Sequence, residues 1–471
     1  MVKDSLKTVI VFLVCFAVLM TSFIMMANAS EVTPGIVIDE NTQISITSIE
    51  LTSESDTSLS PMVTETGKLS LSVDGLGTAG TGIIQVEKPA GATVRSAYMA
   101  AASLWGPNQI ADGQIEIDGQ DVNWDDFVYK YTYNHWADVT SLVKAKIDNA
   151  PAGRIDFTIT EEYSYNIDGS VLVVIFDDPS QVNDNTIVLL FGAQDIDGDT
   201  FNLLLAEPIN KSVPDMSFDM GLGISYSYQS GSSQYSIVEV NGQRLTSAAG
   251  GSDDGEIASN GQLITVGGLD DSNENPVSPF QTAYNDQRLD DELYNILSFV
   301  ESGNSTISVY TRNPSNDDNI FFAYFNLKST VAVVGEGIVL GPASATNPVG
   351  TYHTVTATVQ DNNGDPVESK EVNFEILSGP HQGLTNSAYT DSNGEATFTY
   401  LGTDDGSDVI IASFINSQQS TVYSNQITKV WEGITSDKPN EDKTEIPEFP
   451  TIVLPIAAVL GLAFVSMRKK N

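Results

Sequence analysis

Asp195, Asp197 and Asp199 stand two residues apart with Gly198 turning the chain between the last two, the densest set of hard oxygen ligands in the sequence. Ca²⁺ takes about six to eight oxygens, so such a turn could supply part of its shell. The spacing is not that of an EF-hand, and no glutamate occupies the closing position. Asp270, Asp271 and Glu274, and separately Asp317 with Asp318, form looser clusters. Solvated turn aspartates are the competing reading in so acidic a chain. Calcium is the one cofactor that the sequence suggests.

A second set is aromatic. Trp105, Trp124 and Trp136 lie close in sequence to Tyr129, Tyr131 and Tyr133. A period of two puts these three tyrosines on one face of a strand, where they could stack on a sugar ring. A sandwich core with cross-strand aromatic pairs is the alternative. His135, His353 and His381 are scattered, with no H-E-x-x-H pattern for zinc and no G-x-S-x-G elbow for a serine nucleophile. Gly75 to Gly80 satisfies G-x-G-x-x-G, but a short strand ending at Pro89 follows instead of the helix a dinucleotide needs. Paired acids of a glycosidase stay open, since their separation is invisible in sequence. Asn210-Lys211-Ser212 and Asn304-Ser305-Thr306 are glycosylation sequons.

These groups sit on a chain of 471 residues, enough for about three domains. Lys+Arg 21 against Asp+Glu 62 gives a net charge of -41. Charged residues are only 18%, so the imbalance comes from missing bases more than from added acids. Such a field repels nucleic acid and anionic lipid, and nucleic-acid binding is set aside. Hydrophobic content of 41% supports real cores. Lys3 and Lys7 precede an apolar stretch from Val9 to Met26, and Ala27-Asn28-Ala29 is a small-x-small cleavage site. Cleavage after Ala29 removes Cys15, the single cysteine, so the exported chain is held by burial without disulfides.

The body reads as all-β, with short Val/Ile/Thr/Tyr/Phe runs between Gly, Asn, Asp and Pro. An acidic, weakly periodic piece from Asp286 to Val300 is the exception. One internal echo sets the organisation. IEIDGQDV (115–122), DVTSLV (138–143), GRIDFTI (153–159) and GSVLVVIF (169–176) come back as VEVNGQRL (238–245), LYNILSFV (293–300), GNSTISV (303–309) and DNIFFAYF (318–325). The expected architecture is tandem β-sandwich modules plus one Ig-like β-sandwich. The expected boundaries are a signal peptide at 1–29, a Ser/Thr-rich, flexible or partly paired lead-in at 30–66, sandwich modules at 67–207 and 208–335, an Ig-like domain at 336–433, an acidic linker at 434–446 and a sorting segment at 447–471.

Three resemblances add to this. ADVTSLV followed by GSVLVVIFDDP resembles a domain of unknown function in secreted proteins of methanogenic archaea, spanning roughly residues 68–334. Ile175 and Phe176 depart conservatively from its pattern, and it implies a surface context without an activity. Residues 343–431, with the turns Asn363-Gly364-Asp365-Pro366 and Asp391-Ser392-Asn393-Gly394, resemble the invasin/intimin-type bacterial Ig-like domain, group 1, which implies a stalk or an adhesive tip. Pro447-Glu448-Phe449-Pro450, the apolar run from Thr451 to Met467 and Arg468, Lys469 and Lys470 resemble the PEF-type sorting signal of archaeal surface proteins. As a helix that run is about 25 Å long, slightly short of a bilayer core. The resemblance implies processing by an archaeosortase and a lipid anchor, with a plain transmembrane anchor as the alternative.

The expectation is therefore a non-catalytic structural or adhesion protein on the outer face of an archaeal membrane, meeting envelope components, other cells or polysaccharide. A surface carbohydrate-binding protein and an anchored hydrolase are the alternatives.

Overall fold

Gly169–Phe176 and Asn319–Leu327 lack the polar alternation of a half-solvated strand, and the structure gives the reason: both lie in sheets covered on two faces. The computed structural model describes residues 58–433, apart from 78–79, 105–108, 131, 215, 227–235, 251–263, 277, 281–291, 317 and 329. The expected signal peptide, cleavage at Ala29 and the sorting residues Pro447 to Pro450 lie outside the described residues. Among the described residues no helix is long and apolar enough to cross a membrane. The described chain is all-β but for one α-helix and short 3₁₀ turns.

Four sheets form successive layers. The first is ordered Thr81–Lys88, Gly153–Glu161, Ile115–Ile117, Gln120–Asp121, and the second Leu69–Leu76, Ile167–Asp177, Thr93–Ser103, Tyr133–Asp138, Asp126–Tyr129. The third runs Ser60–Gly67, Asn185–Phe191, Asn319–Lys328, Phe218–Ser225, with Thr265–Val266 and Leu293–Asn295 both pairing the last strand. The fourth runs Gln243–Ala249, Ser236–Val240, Thr306–Arg312, Asp199–Leu205, Ala332–Val334. Side chains of Ile84, Phe157, Leu172 and Val174 fill the space between the first two sheets. Val171, Val173 and Ile175 meet Ile187, Leu189 and Tyr324 between the second and third. Leu190, Met220, Leu203 and Val309 fill the last gap.

With Ser60–Gly67, Asp126–Tyr129, Thr265–Val266 and Ala332–Val334 set aside, strand order is the same in both pairs of sheets. Their hairpins match in detail: Asp118-Gly119 has φ 50 and 76, and Asn241-Gly242 has φ 50 and 72, as a type I′ turn requires. Asp118 Oδ1 accepts from Thr158 N at 2.9 Å, and Asn241 Oδ1 accepts from Ser308 N at 3.0 Å.

The sheets divide elsewhere than the sequence suggested. The lead-in is partly paired: its end, with Gly67, forms the strand Ser60–Gly67 beside Asn185–Phe191 in the third sheet, so it belongs to the second pair of sheets. Residues 185–205 belong to the second pair of sheets, so the division falls between Asp177 and Asn185 and not near Pro208. DVTSLV opens a helix, α1 (Thr140–Asn149), whose Val143 and Ile147 enter the first core. Lys88, only 7% exposed, donates from Nζ to the carbonyls of Ile147, Asp148 and Ala150 at 2.9–3.0 Å and so closes its C-terminus. In the Asp286–Val300 piece, the described residues give Leu293–Asn295 as strand and Ile296–Phe299 as a 3₁₀ turn.

The Ig-like unit has a sheet of Gly337–Gly341, Tyr352–Gln360, Glu395–Leu401 facing one of Ser344–Pro348, Ile427–Glu432, Gly406–Ile415, Glu371–Ser378, Thr385–Tyr389. Its turns share one device. Asp361 Oδ1 accepts from Asn363 N and Asp365 N, and Asp391 Oδ1 from Asn393 N and Glu395 N, each within 3.1 Å. Gly364 and Gly394 take the left-handed position, φ 80 and 73.

Lys88→Met keeps the buried stem and removes three hydrogen bonds. It should cost about 1–3 kcal/mol in urea unfolding and raise amide exchange across the last turn of α1. Unchanged exchange there would show that Lys88 does not hold the helix.

Candidate functional site

The ends of the second and third sheets meet in a polar cleft of about 260 Å³. Lys130 and Thr132 reach it from the tip of the 126–138 hairpin, Gln194, Asp195 and Ile196 from the segment after Phe191, Asn313, Asn316 and Asp318 from the turn before the 319–328 strand, and Asn319 from that strand's first position. Tyr226 closes it. Hydrogen bonds fix this lining from behind. Asn319 Nδ2 donates to Asn134 Oδ1 at 3.0 Å and to Ser225 Oγ at 3.1 Å, while buried Asn134 donates to Gly192 O at 2.7 Å. Gln194 Nε2 donates to Thr311 Oγ1 at 2.7 Å, and Asn313 Nδ2 to Asp318 Oδ2 at 2.6 Å.

The aspartate turn borders this cleft. Asp195 Oδ1 accepts from Asp197 N at 2.9 Å and Oδ2 from Lys130 Nζ at 3.0 Å. Those two contacts, the backbone one first, hold its carboxyl below the usual range. Asp199 is buried and accepts from Asp195 N and Leu59 N. Burial pushes it up to about 6. Among the described residues no three His, Cys, Asp or Glu side chains are placed to share a metal ion. Asp270 forks onto Arg154 at 2.5 and 2.6 Å, and Asp271 caps Gly268 N at 2.6 Å.

The tyrosines are arranged by a hairpin and not by one strand face. Tyr129 and Tyr133 are cross-strand partners with ring centroids 4.5 Å apart, and Tyr131 lies outside the described residues. Phe127 and Tyr129 are half exposed on the face they share with Tyr133 and His135, and neither lines the cleft. Trp136 stacks on Tyr98 at 5.2 Å inside the seam between the second and third sheets, and Trp124 packs against the first core. His135 is wholly buried among Trp124, Phe127 and Tyr133. Burial lowers its pKa to about 4, which keeps it neutral. Of the sequons, Asn210 is exposed and Asn304 partly so. They sit on touching loops, with Ile209 N donating to Asn304 O at 2.8 Å.

Two polar clusters were not legible in sequence. In the Ig-like unit, buried Asp408 accepts through Oδ2 from His381 Nδ1 (2.7 Å), Trp431 Nε1 (2.8 Å) and Tyr400 Oη (3.0 Å), and through Oδ1 from His381 N (3.0 Å). His381 Nε2 lies 3.1 Å from Thr403 Oγ1, which gives the connectivity of a nucleophile triad. The Nε2 lone pair a general base needs is already taken by Thr403 N–H at 2.9 Å, and Thr403 Oγ1 donates to Asp404 at 2.7 Å. The cluster is a polar lock. Buried Lys429, the cross-strand partner of Asp408, adds a cation–π contact 4.3 Å above the Trp431 ring.

The other cluster is Glu161 and Asp168, both buried. Neither Glu161 oxygen has a hydrogen-bond partner. Burial, then the charge of Asp168, raises its pKa to about 9. Neither residue lines the cleft.

Comparison with known proteins supports two parts of the chain. Residues 446–470 match the PEF-CTERM archaeal protein sorting domain, and residues 349–429 match the bacterial Ig-like domain (group 1). No curated protein matches the chain. Among solved structures, the D0-D1 domain of intimin aligns at 12% identity and TM-score 0.19, covering 52% of this chain and 90% of that one. A glycosyl hydrolase family 2 member from Bacteroides cellulosilyticus DSM 14838 aligns at 7% identity and TM-score 0.15, covering 52% and 28%. BcpA, the major pilin subunit of Bacillus cereus, aligns at 11% and 0.10, covering 54% and 64%. At such TM-scores these likenesses carry no argument. The matched domains are those of a sorted, Ig-like surface protein.

Asp408→Ala strands four buried donors and should cost roughly 3–5 kcal/mol, with Asp408→Asn costing less, read from urea midpoints. Equal losses would mean that volume and not hydrogen bonding is at stake. Glu161 gives a pH prediction. Its pKa rises from 4.5 unfolded to about 9 folded, so its contribution is full below 4.5 and lost as pH climbs through 9. Asp74 and Asp199 act in the same direction only to about 6. Glu161→Gln should therefore flatten the fall in stability between about pH 7 and pH 9, where one group contributes at most about 1.4 kcal/mol per unit. An unchanged slope would place the titration elsewhere.

Proposed function

We propose that this chain is a non-catalytic adhesion protein of an archaeal envelope, anchored through the 446–470 segment and displaying its four-sheet stack on the Ig-like unit. The observation that carries the reading is the sorting-domain match following the Ig-like match along one chain. The acidity suits an exterior position, and both sequons are then available as glycan acceptors. An archaeosortase-type enzyme is the processing partner, leaving a lipid anchor in place of the apolar run.

The joint between stack and Ig-like unit supports display. Only Gly335 and Glu336 separate Val334 from the strand beginning at Gly337. Gln360 Nε2 donates across it to Asn202 O at 3.1 Å and Gly335 O at 2.8 Å, Asn202 Nδ2 to Asn363 O at 2.5 Å, and Ala343 N to Glu207 Oε1 at 2.8 Å. Adhesion needs such a connection to carry load.

Protease treatment of intact cells should remove the protein, and mass spectrometry of the mature form should find no peptide containing Arg468 or should find the protein in membranes. Loss of the gene should reduce attachment or aggregation of cells. A freely soluble, full-length protein protected from external protease would overturn the proposal.

A further inference from the structure

The cleft at the end of the central seam has a lining that selects a ligand. It combines a Lys130–Asp195 ion pair at 3.0 Å, the amides of Gln194, Asn316 and Asn319, and the side chain of Ile196, which is 47% exposed. Asn319 spends its Nδ2 on Asn134 and Ser225, which leaves Oδ1 without a described donor. An anion would meet Asp195, Asp318 and the field of a chain carrying -41. A metal cation would meet the Lys130 ammonium, and no three ligating side chains converge among the described residues. A long apolar ligand would strip water from amides and the ion pair without replacing it. What remains is a neutral molecule that both donates and accepts on one edge and offers C–H groups on its face.

We propose that this cleft binds a neutral saccharide, one or two rings at a time. Vicinal hydroxyls pair with side-chain amides and with the two members of the ion pair, each hydroxyl giving one hydrogen bond and taking another. The C–H face of the ring lies against Ile196. The volume of about 260 Å³ falls just below the roughly 300–1,000 Å³ of drug-sized ligand sites. The lining is pre-set, because Asn134 and Thr311 behind it hold Asn319 and Gln194, and Asn313 is bonded to its neighbour Asp318. This inference rests on the adhesion reading and gives it a receptor chemistry.

The test uses the full chain in mild detergent, with calorimetry and saturation-transfer NMR against glucose, galactose, mannose, N-acetylglucosamine, their β-linked disaccharides, and glucuronate as a charged probe. At least one neutral sugar should saturate with a roughly millimolar dissociation constant. Asn316→Gly, which preserves the backbone at φ 56, and Lys130→Met should each weaken it about tenfold or more while the Tm stays within about 2 °C. Tyr352→Ala, on an exposed Ig-like residue, should leave binding unchanged. The proposal is overturned if no neutral sugar saturates, if glucuronate binds more tightly than every neutral sugar, or if both cleft variants bind like the wild type. A wild type that still aggregates cells but binds no saccharide fails the cleft alone, and one that does neither fails the adhesion reading as well.

Discussion

The strand Ile167–Asp177 has no solvent face, and most of the architecture follows from that. Leu172, Val174 and Phe176 point into one core and Val171, Val173 and Ile175 into the next, all at 1% exposure or less. A sheet covered on both sides forces its neighbour to offer a matching apolar face, and Ile187, Leu189 and Tyr324 supply it. The backbone is satisfied along the seam by strand pairing, but where the sheets end, the seam still needs donors and acceptors. Asn185 donates to Leu69 O at one end, at 2.6 Å, and Asn134 and Asp168 serve Gly192 O and Tyr226 N at the other. The cleft lies at that second end because polar groups are required there whether or not a ligand exists.

The local parts of this design were readable in the sequence. Apolar runs such as GSVLVVIF marked strands, and Asn363-Gly364 and Asn393-Gly394 marked turns, since each depends on neighbours within a few residues. What escaped depended on distant partners. Ser60–Gly67, within or next to a lead-in expected to be flexible or partly paired, is strand because Asn185–Phe191 lies beside it, more than 100 residues away, and nothing within the segment marks that partner. α1 buries only Val143 and Ile147, too narrow a stripe to stand out, and relies on Lys88 from another strand. The tyrosine spacing of two does not put Tyr129 and Tyr133 on one strand, because they belong to the two strands of a hairpin and pair across it. The cleft amides gave one faint signal, the Asn/Asp-rich turn from Asn313 to Asn319, whose composition fits any turn.

With 21 bases for 62 acids, where the bases fall is informative. Arg154 reaches from the first sheet to Asp270, Arg95 from the second sheet to Glu65 of the third, and Lys130 from the second-sheet hairpin to Asp195. Each joins the two halves of the stack. These pairs are exposed enough that each contributes little stability, so their effect is on alignment more than on free energy. The same acidity opposes compaction by self-repulsion, which makes an apolar seam of this size necessary.

The Ig-like lock and the cleft use similar polar side chains to opposite ends. Around Asp408, both oxygens and both nitrogens of His381 are engaged, as are Tyr400, Trp431 and Thr403, so nothing is left to offer a ligand. In the cleft, Asn319 is tied down through its nitrogen alone, and Asn316 stands exposed on a left-handed turn. A group held at one atom and open at another is oriented without being saturated, which is the physical difference between a structural network and a binding site. By that criterion the network around Asp408 is saturated, whereas the seam end keeps the open atoms on which the saccharide proposal rests.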